Sequence, residues 1–246
     1  MRTFFTTGTT GPSKHITYDQ KTMDRLEVQM EALMKEYGVW ESDKVLNSFS
    51  LFPCYAPNLG YWQSTMIGKY DHINHFDIGS IDIMNDVPES TLKMLKGYKP
   101  HIVMGDPNVL MTILPMLSDE DLSELRLVVT GNDKPFKNLE KFVEEHGAVF
   151  GSIYGRTENA LILYTEKGKW SEGYLIGDHD VQVDPDYYPD MDVDDNYGGV
   201  LIVDGESTED LGTINKYGKV DLDIKRTDKK ISICGDVHGA NDKGST

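Results

Sequence analysis

Apolar positions along this chain change rhythm three times, and each rhythm predicts a different kind of element. After an apolar pair, Phe4-Phe5, comes a polar stretch rich in glycine and hydroxyls. From Ile16 to Val39 the large apolar residues Met23, Leu26, Met30, Leu33, Met34 and Tyr37 recur at three- and four-residue intervals. That spacing predicts a long amphipathic helix stopped by Gly38. Short apolar runs then alternate with helical periodicity. Strands are predicted over Lys44–Ser50, Tyr70–Phe76, His101–Gly105, Leu125–Thr130 and Ala148–Tyr154. Helices are predicted over Gly60–Gly68, Glu89–Gly97, from Pro107 onward, and over Pro135–His146. Strand and helix in alternation predict an α/β fold, a mostly parallel sheet flanked by helices. Ligands of such sheets gather at the carboxyl ends of strands.

Past Trp170 the helical period disappears. Gly173–Ile176, Gly199–Val203, Thr213-Ile214, Lys219–Leu222 and Ile231–Ile233 read as short strands separated by turns, a small antiparallel β unit. The expected division is therefore 1–170, an α/β core, and 171–246, a small β-rich subdomain with an acidic loop. The stretch Asp178–Asp195 reads as a solvated acidic loop. Asp190, Asp192 and Asp194 alternate as in a calcium loop, but the glycine and the closing glutamate of that motif are missing.

Composition narrows the function classes. With 24 Lys and Arg against 41 Asp and Glu, the net charge of −17 argues against nonspecific nucleic-acid binding and against an anionic membrane surface. No apolar run reaches the ~18 residues of a membrane span. Met1-Arg2-Thr3 leads directly into the polar stretch, so no signal peptide is expected. Cys54 and Cys234 form neither a disulfide framework nor a metal motif and fit a reducing cytoplasm.

The polar stretch carries chemistry. Thr6-Thr7-Gly8-Thr9-Thr10-Gly11-Pro12-Ser13-Lys14 combines turn-forming glycines, hydroxyl donors and a cation. Exposed backbone N–H groups in such a turn form a nest for anions, and the lysine adds a point charge suited to phosphate. It is read as a phosphate cradle, although it departs from the Walker pattern at Ser13 and His15. A helix directly after it would add its N-terminal dipole. A second segment, Ser152-Ile153-Tyr154-Gly155-Arg156-Thr157-Glu158-Asn159, follows a predicted strand. A third comprises Thr208-Glu209-Asp210-Leu211-Gly212, Tyr217-Gly218 and Arg226-Thr227-Asp228.

Together these segments resemble the signatures of the adenylate-forming superfamily, which holds acyl-CoA synthetases, luciferases and peptide-synthetase adenylation domains. The cradle is similar to its Thr-Ser-Gly-Thr-Thr-Gly-x-Pro-Lys-Gly motif, Tyr154–Glu158 to Tyr-Gly-x-Thr-Glu, and Thr208–Gly212 to Thr-Gly-Asp-x-Gly with Glu209 in place of glycine. The resemblance implies that Thr6, Thr7, Gly8, Thr9, Thr10, Gly11 and Lys14 bind phosphate. It implies that Gly131, Asn132, Asp133, Ser152, Tyr154, Gly155 and Thr157 receive the nucleotide, that Asp210 and Arg226 hold the ribose, and that Glu158 ligates Mg²⁺. Lys14, Thr157 and Glu158 become the catalytic candidates. A proline-rich loop, Leu51–Gly60, stands where the family lines its acid pocket. The implied cofactors are ATP/AMP and Mg²⁺, and the implied reaction activates a small-molecule carboxylic acid as acyl-AMP with release of pyrophosphate. The resemblance covers almost the whole chain but only the middle of the family architecture, implying a minimal version without the N-terminal subdomain and the C-terminal domain. No residue here inherits the adenylation lysine of that C-terminal domain. The alternative is therefore an impaired ATP/AMP-binding module, acting as sensor, regulator or subunit of a split enzyme. A protein partner or self-association over the truncated face is expected as well.

Overall fold

The structure, a computed structural model, describes residues 2–5, 14–40, 42–48, 74–77, 87, 89–131, 137–165, 172–175, 179–184, 196–215 and 220–223. The expected helix over Gly60–Gly68, the loop Leu51–Gly60, the strand at Ile231–Ile233 and both cysteines lie outside them.

The first helix begins later than its apolar spacing predicted. His15–Tyr18 form strand β2, antiparallel to β1 (Arg2–Phe5), with Arg2 opposite Tyr18 and Phe5 opposite His15. Isoleucine, threonine and tyrosine favour the extended chain, where their χ1 restriction costs least. Asp19 then caps helix α1 (Gln20–Glu36), its Oδ1 accepting the Thr22 amide at 2.7 Å. A strand and an N-capping carboxylate thus stand in the chain between Lys14 and the helix, which does not follow the glycine-rich stretch directly as expected. At the other end Gly38 adopts a φ of 64°, its amide donating to Lys35 and that of Val39 to Met34. This pairing closes the helix with a left-handed residue that glycine adopts without strain.

Five parallel strands follow: β3 (Lys44–Asn47), β4 (Asn74–Asp77), β5 (Ile102–Gly105), β6 (Leu127–Thr130) and β7 (Val149–Arg156), side by side in the order β4-β3-β5-β6-β7. Helices α2 (Glu89–Leu95), α3 (Pro107–Ile113) and α4 (Lys137–Glu145) link or follow them. Pro107 stands at the start of α3 as expected, and Asp106 caps it through the Asn108 amide. Alternate strand residues face opposite layers. Val45, Ile102, Met104, Leu127 and Val129 pack with the α1 stripe of Met23, Leu26, Met30, Leu33 and Met34. Leu46, Val103, Val128 and Phe150 pack with Leu95, Leu110, Ile113, Leu139 and Val143 from α2, α3 and α4. Burial on both faces is why these strands read as continuous apolar runs.

The sheet continues beyond β7 as an antiparallel unit: β8 (Ala160–Thr165), β9 (Glu172–Leu175), β10 (Val181–Asp184), β11 (Asn196–Val203), β12 (Glu206–Asn215) and β13 (Val220–Asp223). Its order is β7-β8-β9-β13-β12-β11-β10. Two of these strands went unread in the sequence. Strand β8 lies directly after the Tyr-Gly-Arg-Thr-Glu motif. Strand β10 lies within the acidic stretch, because Val181 and Val183 pack on Leu201 and Val203. Asp190, Asp192 and Asp194 are outside the described residues. Among the described residues no helix is long and apolar enough to cross a membrane.

Two polar devices hold this frame. Tyr37, fully buried at the end of α1, places its hydroxyl 3.1 Å from the carbonyls of both Ser152 and Thr165. Burial pushes its ionisation far above the usual tyrosine range, so it stays a donor. A Cβ on Gly151 would come within 2.8 Å of the Tyr37 ring, so glycine is what lets the tyrosine reach β7. At the amino edge of the parallel strands, buried Asp43 takes the Arg126 guanidinium on both oxygens and accepts the Trp40 amide at 2.7 Å. Arg126 also donates to the Gly38 carbonyl at 2.9 Å. His101 bridges Asp43 at 3.1 Å and Glu124 at 3.0 Å, and Lys44 closes on Glu124 at 2.6 Å.

Candidate functional site

The site is built where β7 outruns its neighbour. Strand β6 ends at Thr130, opposite Ser152, whereas β7 goes on to Arg156. Residues Ile153–Arg156 therefore leave the parallel layer and pair with β8 instead. A register shift between Tyr154 and Gly155 puts a bulge there, a device that re-aims side chains. Thr157, Glu158 and Asn159 form the turn into β8.

Three sequence segments meet at this turn. Tyr18, the last residue of β2, donates its hydroxyl to the Thr157 carbonyl at 2.7 Å. The connection between β1 and β2 is the cradle, so this bond ties the cradle's strand to the turn. Lys14, the cradle residue that is described, lies with Nζ 3.8 Å from Glu158 Oε1, and the Arg156 guanidinium lies 3.9 Å from the same oxygen. Glu158 is mostly buried, whereas Lys14 extends into solvent. Neither contact is short enough to be a hydrogen bond, and both are open to replacement.

The third segment arrives through β12. Between the Val200–Leu211 and Ile202–Ser207 pairs, β12 inserts Thr208, Glu209 and Asp210 opposite Leu201 alone. The Thr208 hydroxyl shapes this bulge, donating to the Leu201 carbonyl at 2.9 Å and accepting the Asp210 amide at 3.1 Å. Asp210 is thereby buried and takes the Tyr154 hydroxyl at 2.5 Å. Burial and the adjacent Asp210 carboxylate push the Tyr154 phenol well above its usual range, with the Arg156 charge opposing them. Non-glycine residues with positive φ are Lys99 and Asp204 among those described, so Glu209 sits where the family's glycine is not needed for conformational reasons.

The other predicted site residues divide into two groups. Gly131 lies buried at the end of β6, and the Ser152 backbone is engaged structurally, its amide donating to Thr165 Oγ1 at 2.8 Å. Thr6, Thr7, Gly8, Thr9, Thr10, Gly11, Asn132, Asp133 and Arg226 lie outside the described residues. Sequence reasoning passed over Tyr18, Thr208 and Arg156. Thr208 had a signal in its motif, whereas Tyr18 and Arg156 had none beyond their types.

A second hairpin braces the turn. Asp204 and Gly205 join β11 to β12 with φ of 54° and 80°, positive at both positions as a tight two-residue hairpin requires. Asp204 Oδ2 lies 2.8 Å from His179 Nδ1 and accepts from Asn159 at 3.3 Å, and Oδ1 accepts the Asp180 amide at 3.0 Å. Burial alone would raise the Asp204 pKa, but His179 and these donors outweigh it and hold it below 3.8. A carboxyl depressed in the folded state contributes stability above its unfolded value, and that contribution disappears as pH falls through the folded value. Asp204→Asn keeps the turn, since Asn-Gly suits it equally. The variant is expected to unfold at lower urea than the parent at pH 7, with the gap closing below pH 3.8. Urea midpoints across pH check this, and a gap independent of pH refutes it.

Among the described residues no three His, Cys, Asp or Glu side chains converge as protein metal ligands do. Glu158 offers a single carboxylate. Mg²⁺ bound with a nucleotide needs only one or two carboxylates, because phosphates and water complete its shell. The donor set therefore fits that ion.

The chain matches the model of the family described as AMP-binding enzyme over residues 3–208. No curated protein is matched. Among solved structures it is similar to o-succinylbenzoate coenzyme A synthetase from Bacillus subtilis in complex with ATP and magnesium, with 17% identity and a TM-score of 0.64, over 89% of this chain and 49% of that one. The luciferase-like enzyme of the nonluminescent mealworm Zophobas morio gives 20% identity and 0.63, over 92% and 57%. A 2-hydroxyisobutyryl-CoA ligase in complex with 2-HIB-AMP and CoA gives 15% and 0.65, over 90% and 55%. The chain thus spans about half the length of the solved proteins whose fold it shares.

Proposed function

Because the chain belongs to the AMP-binding enzyme family, within the adenylate-forming superfamily, we propose that it binds Mg-ATP and activates a carboxylic acid as acyl-AMP. A carboxylate oxygen attacks the α-phosphorus. The new P–O bond forms as the bond to the bridging oxygen breaks, and its electron pair leaves on pyrophosphate. Such a displacement depends mostly on positioning and on neutralising charge.

The observation that carries this reading is that the end of β7 and the turn after it receive two distant segments, Lys14 meeting Glu158 and Asp210 meeting Tyr154. In this reading Thr6–Gly11 and Lys14 hold the departing phosphates, and Thr157 faces the α-phosphate. Glu158 holds Mg²⁺, which when bound neutralises phosphate charge. Gly131, Asn132, Asp133, Ser152, Tyr154 and Gly155 receive the nucleotide. Asp210 and Arg226 take the ribose diol, for which a carboxylate is a sound acceptor. Residues 1–170 form the nucleotide core and 171–246 the β-rich subdomain, working in the cytoplasm with a protein partner or a second copy.

Pyrophosphate exchange into ATP, measured over a panel of aliphatic and aromatic acids, tests the proposal. Acid-dependent exchange is expected. ATP binding by calorimetry with exchange at background for every acid defeats it and favours the impaired binding module.

A further inference from the structure

Among the described residues, Arg126 and Arg156 have guanidinium groups close to carboxylates, and they are treated very differently. At the amino edge, Arg126 donates through Nε and NH2 to both Asp43 oxygens and to the Gly38 carbonyl, with the rest of its guanidinium reaching solvent. At the opposite edge Arg156 ends β7 with its side chain only 19% exposed. Its NH1 is buried without a hydrogen-bond partner among the described residues, and its contact with Glu158 is an ion pair at 3.9 Å. A guanidinium carries five N–H donors and no acceptor. Leaving such donors buried and unused costs more than an ordinary lost hydrogen bond, so native proteins rarely keep them without a ligand or water to meet them. Arg126 shows what a structural arginine looks like in this fold, and Arg156 does not look like it.

We infer that Arg156 is an anion-recognition residue whose guanidinium binds a phosphate or carboxylate oxygen of the ligand beside Glu158. The planar fork suits two-point contact with either group. Glu158 is too distant to fill that fork and is needed for the metal in the adenylation reading, on which the identity of the ligand rests. When the metal takes Glu158, Arg156 loses its ion partner and the incoming anion replaces it. The two sources of that anion are the nucleotide phosphates and the carboxylate of the acid.

Arg156→Met keeps the stem and removes the charge, and Arg156→Lys keeps the charge without the fork. Calorimetry with ATP, AMP, adenosine and inorganic pyrophosphate, each with Mg²⁺, is combined with pyrophosphate exchange and thermal unfolding. If the anion is phosphate, Arg156→Met weakens ATP and AMP about tenfold or more while adenosine is unchanged, and lysine restores part of the loss. If it is the acid, nucleotide affinities hold and the KM for the acid rises by about tenfold or more instead. The unliganded Arg156→Met protein melts no lower than the parent, because among the described residues the buried NH1 gives up no hydrogen bond. Unchanged nucleotide affinity together with unchanged KM overturns the inference, as does a lowered melting temperature with adenosine weakened equally. Should the parent bind neither ATP nor AMP, the adenylation reading falls, and pyrophosphate decides here. Binding weakened by Arg156→Met upholds the inference, and equal or absent binding overturns it.

Discussion

Glu158→Gln is expected to lower acyl-adenylate formation by about a hundredfold or more, the scale of losing a metal's stabilisation of developing charge. The substitution keeps the size and hydrogen-bonding shape of the side chain and removes only its charge. That charge has two jobs at the turn. It faces Lys14 and Arg156 at 3.8 Å and 3.9 Å, and in the proposed function it is the carboxylate that would hold Mg²⁺. Without it the two cations stand closer to the phosphates, so ATP binding without Mg²⁺ is expected to hold or tighten while the metal-dependent rate falls. The two effects move in opposite directions, and general damage to the fold would not produce that split. Calorimetry with and without Mg²⁺, beside pyrophosphate exchange, reads both. A variant with parental exchange and parental Mg²⁺ dependence would remove Glu158 from the mechanism.

Asp43→Ala has the largest expected effect on stability, about 3 kcal/mol, at the lower end for breaking a buried ion pair because Arg126 is partly solvated. The aspartate is 3% exposed and serves Arg126, His101 and the Trp40 amide together. Its loss strands a guanidinium against the ends of β3, β5 and β6 and frees the link from α1 into the sheet. Denaturant unfolding measures the loss. The site lies at the opposite edge, so nucleotide affinity in the folded variant is expected to remain parental. A midpoint unchanged from the parent would show that the cluster is ornamental.

Much of this was readable before any coordinates. The α1 stripe, the doubly buried strands and the Pro107 start are local consequences of spacing and residue type, and the sequence carries them openly. The start of α1 was misread because Ile16 continues the apolar rhythm, whereas Asp19 decides the boundary through a single capping bond. Strand β8 was hidden because its role depends on β7 extending past β6, a tertiary fact. Within the site, the resemblance of the motifs pointed to Glu158, Tyr154 and Asp210. They did not show that Thr208 builds the bulge presenting Asp210, nor that Tyr18 secures Thr157. Those are long-range bonds, and periodicity does not encode them.

The shared strand β7 also dictates when this protein can first bind anything. Tyr18 reaches Thr157 across 139 residues and Tyr154 reaches Asp210 across 56. Closing loops of that length costs entropy that only a largely assembled chain recovers. Such contacts of high sequence order form late, after local helices and hairpins. These two tyrosine bonds are therefore expected among the last contacts of folding. In the proposed function, a nucleotide would bind the native state alone and deepen that basin in proportion to the logarithm of its concentration. On that reading, ligand supply would shift the fraction of chains folded as well as the occupancy of the folded ones.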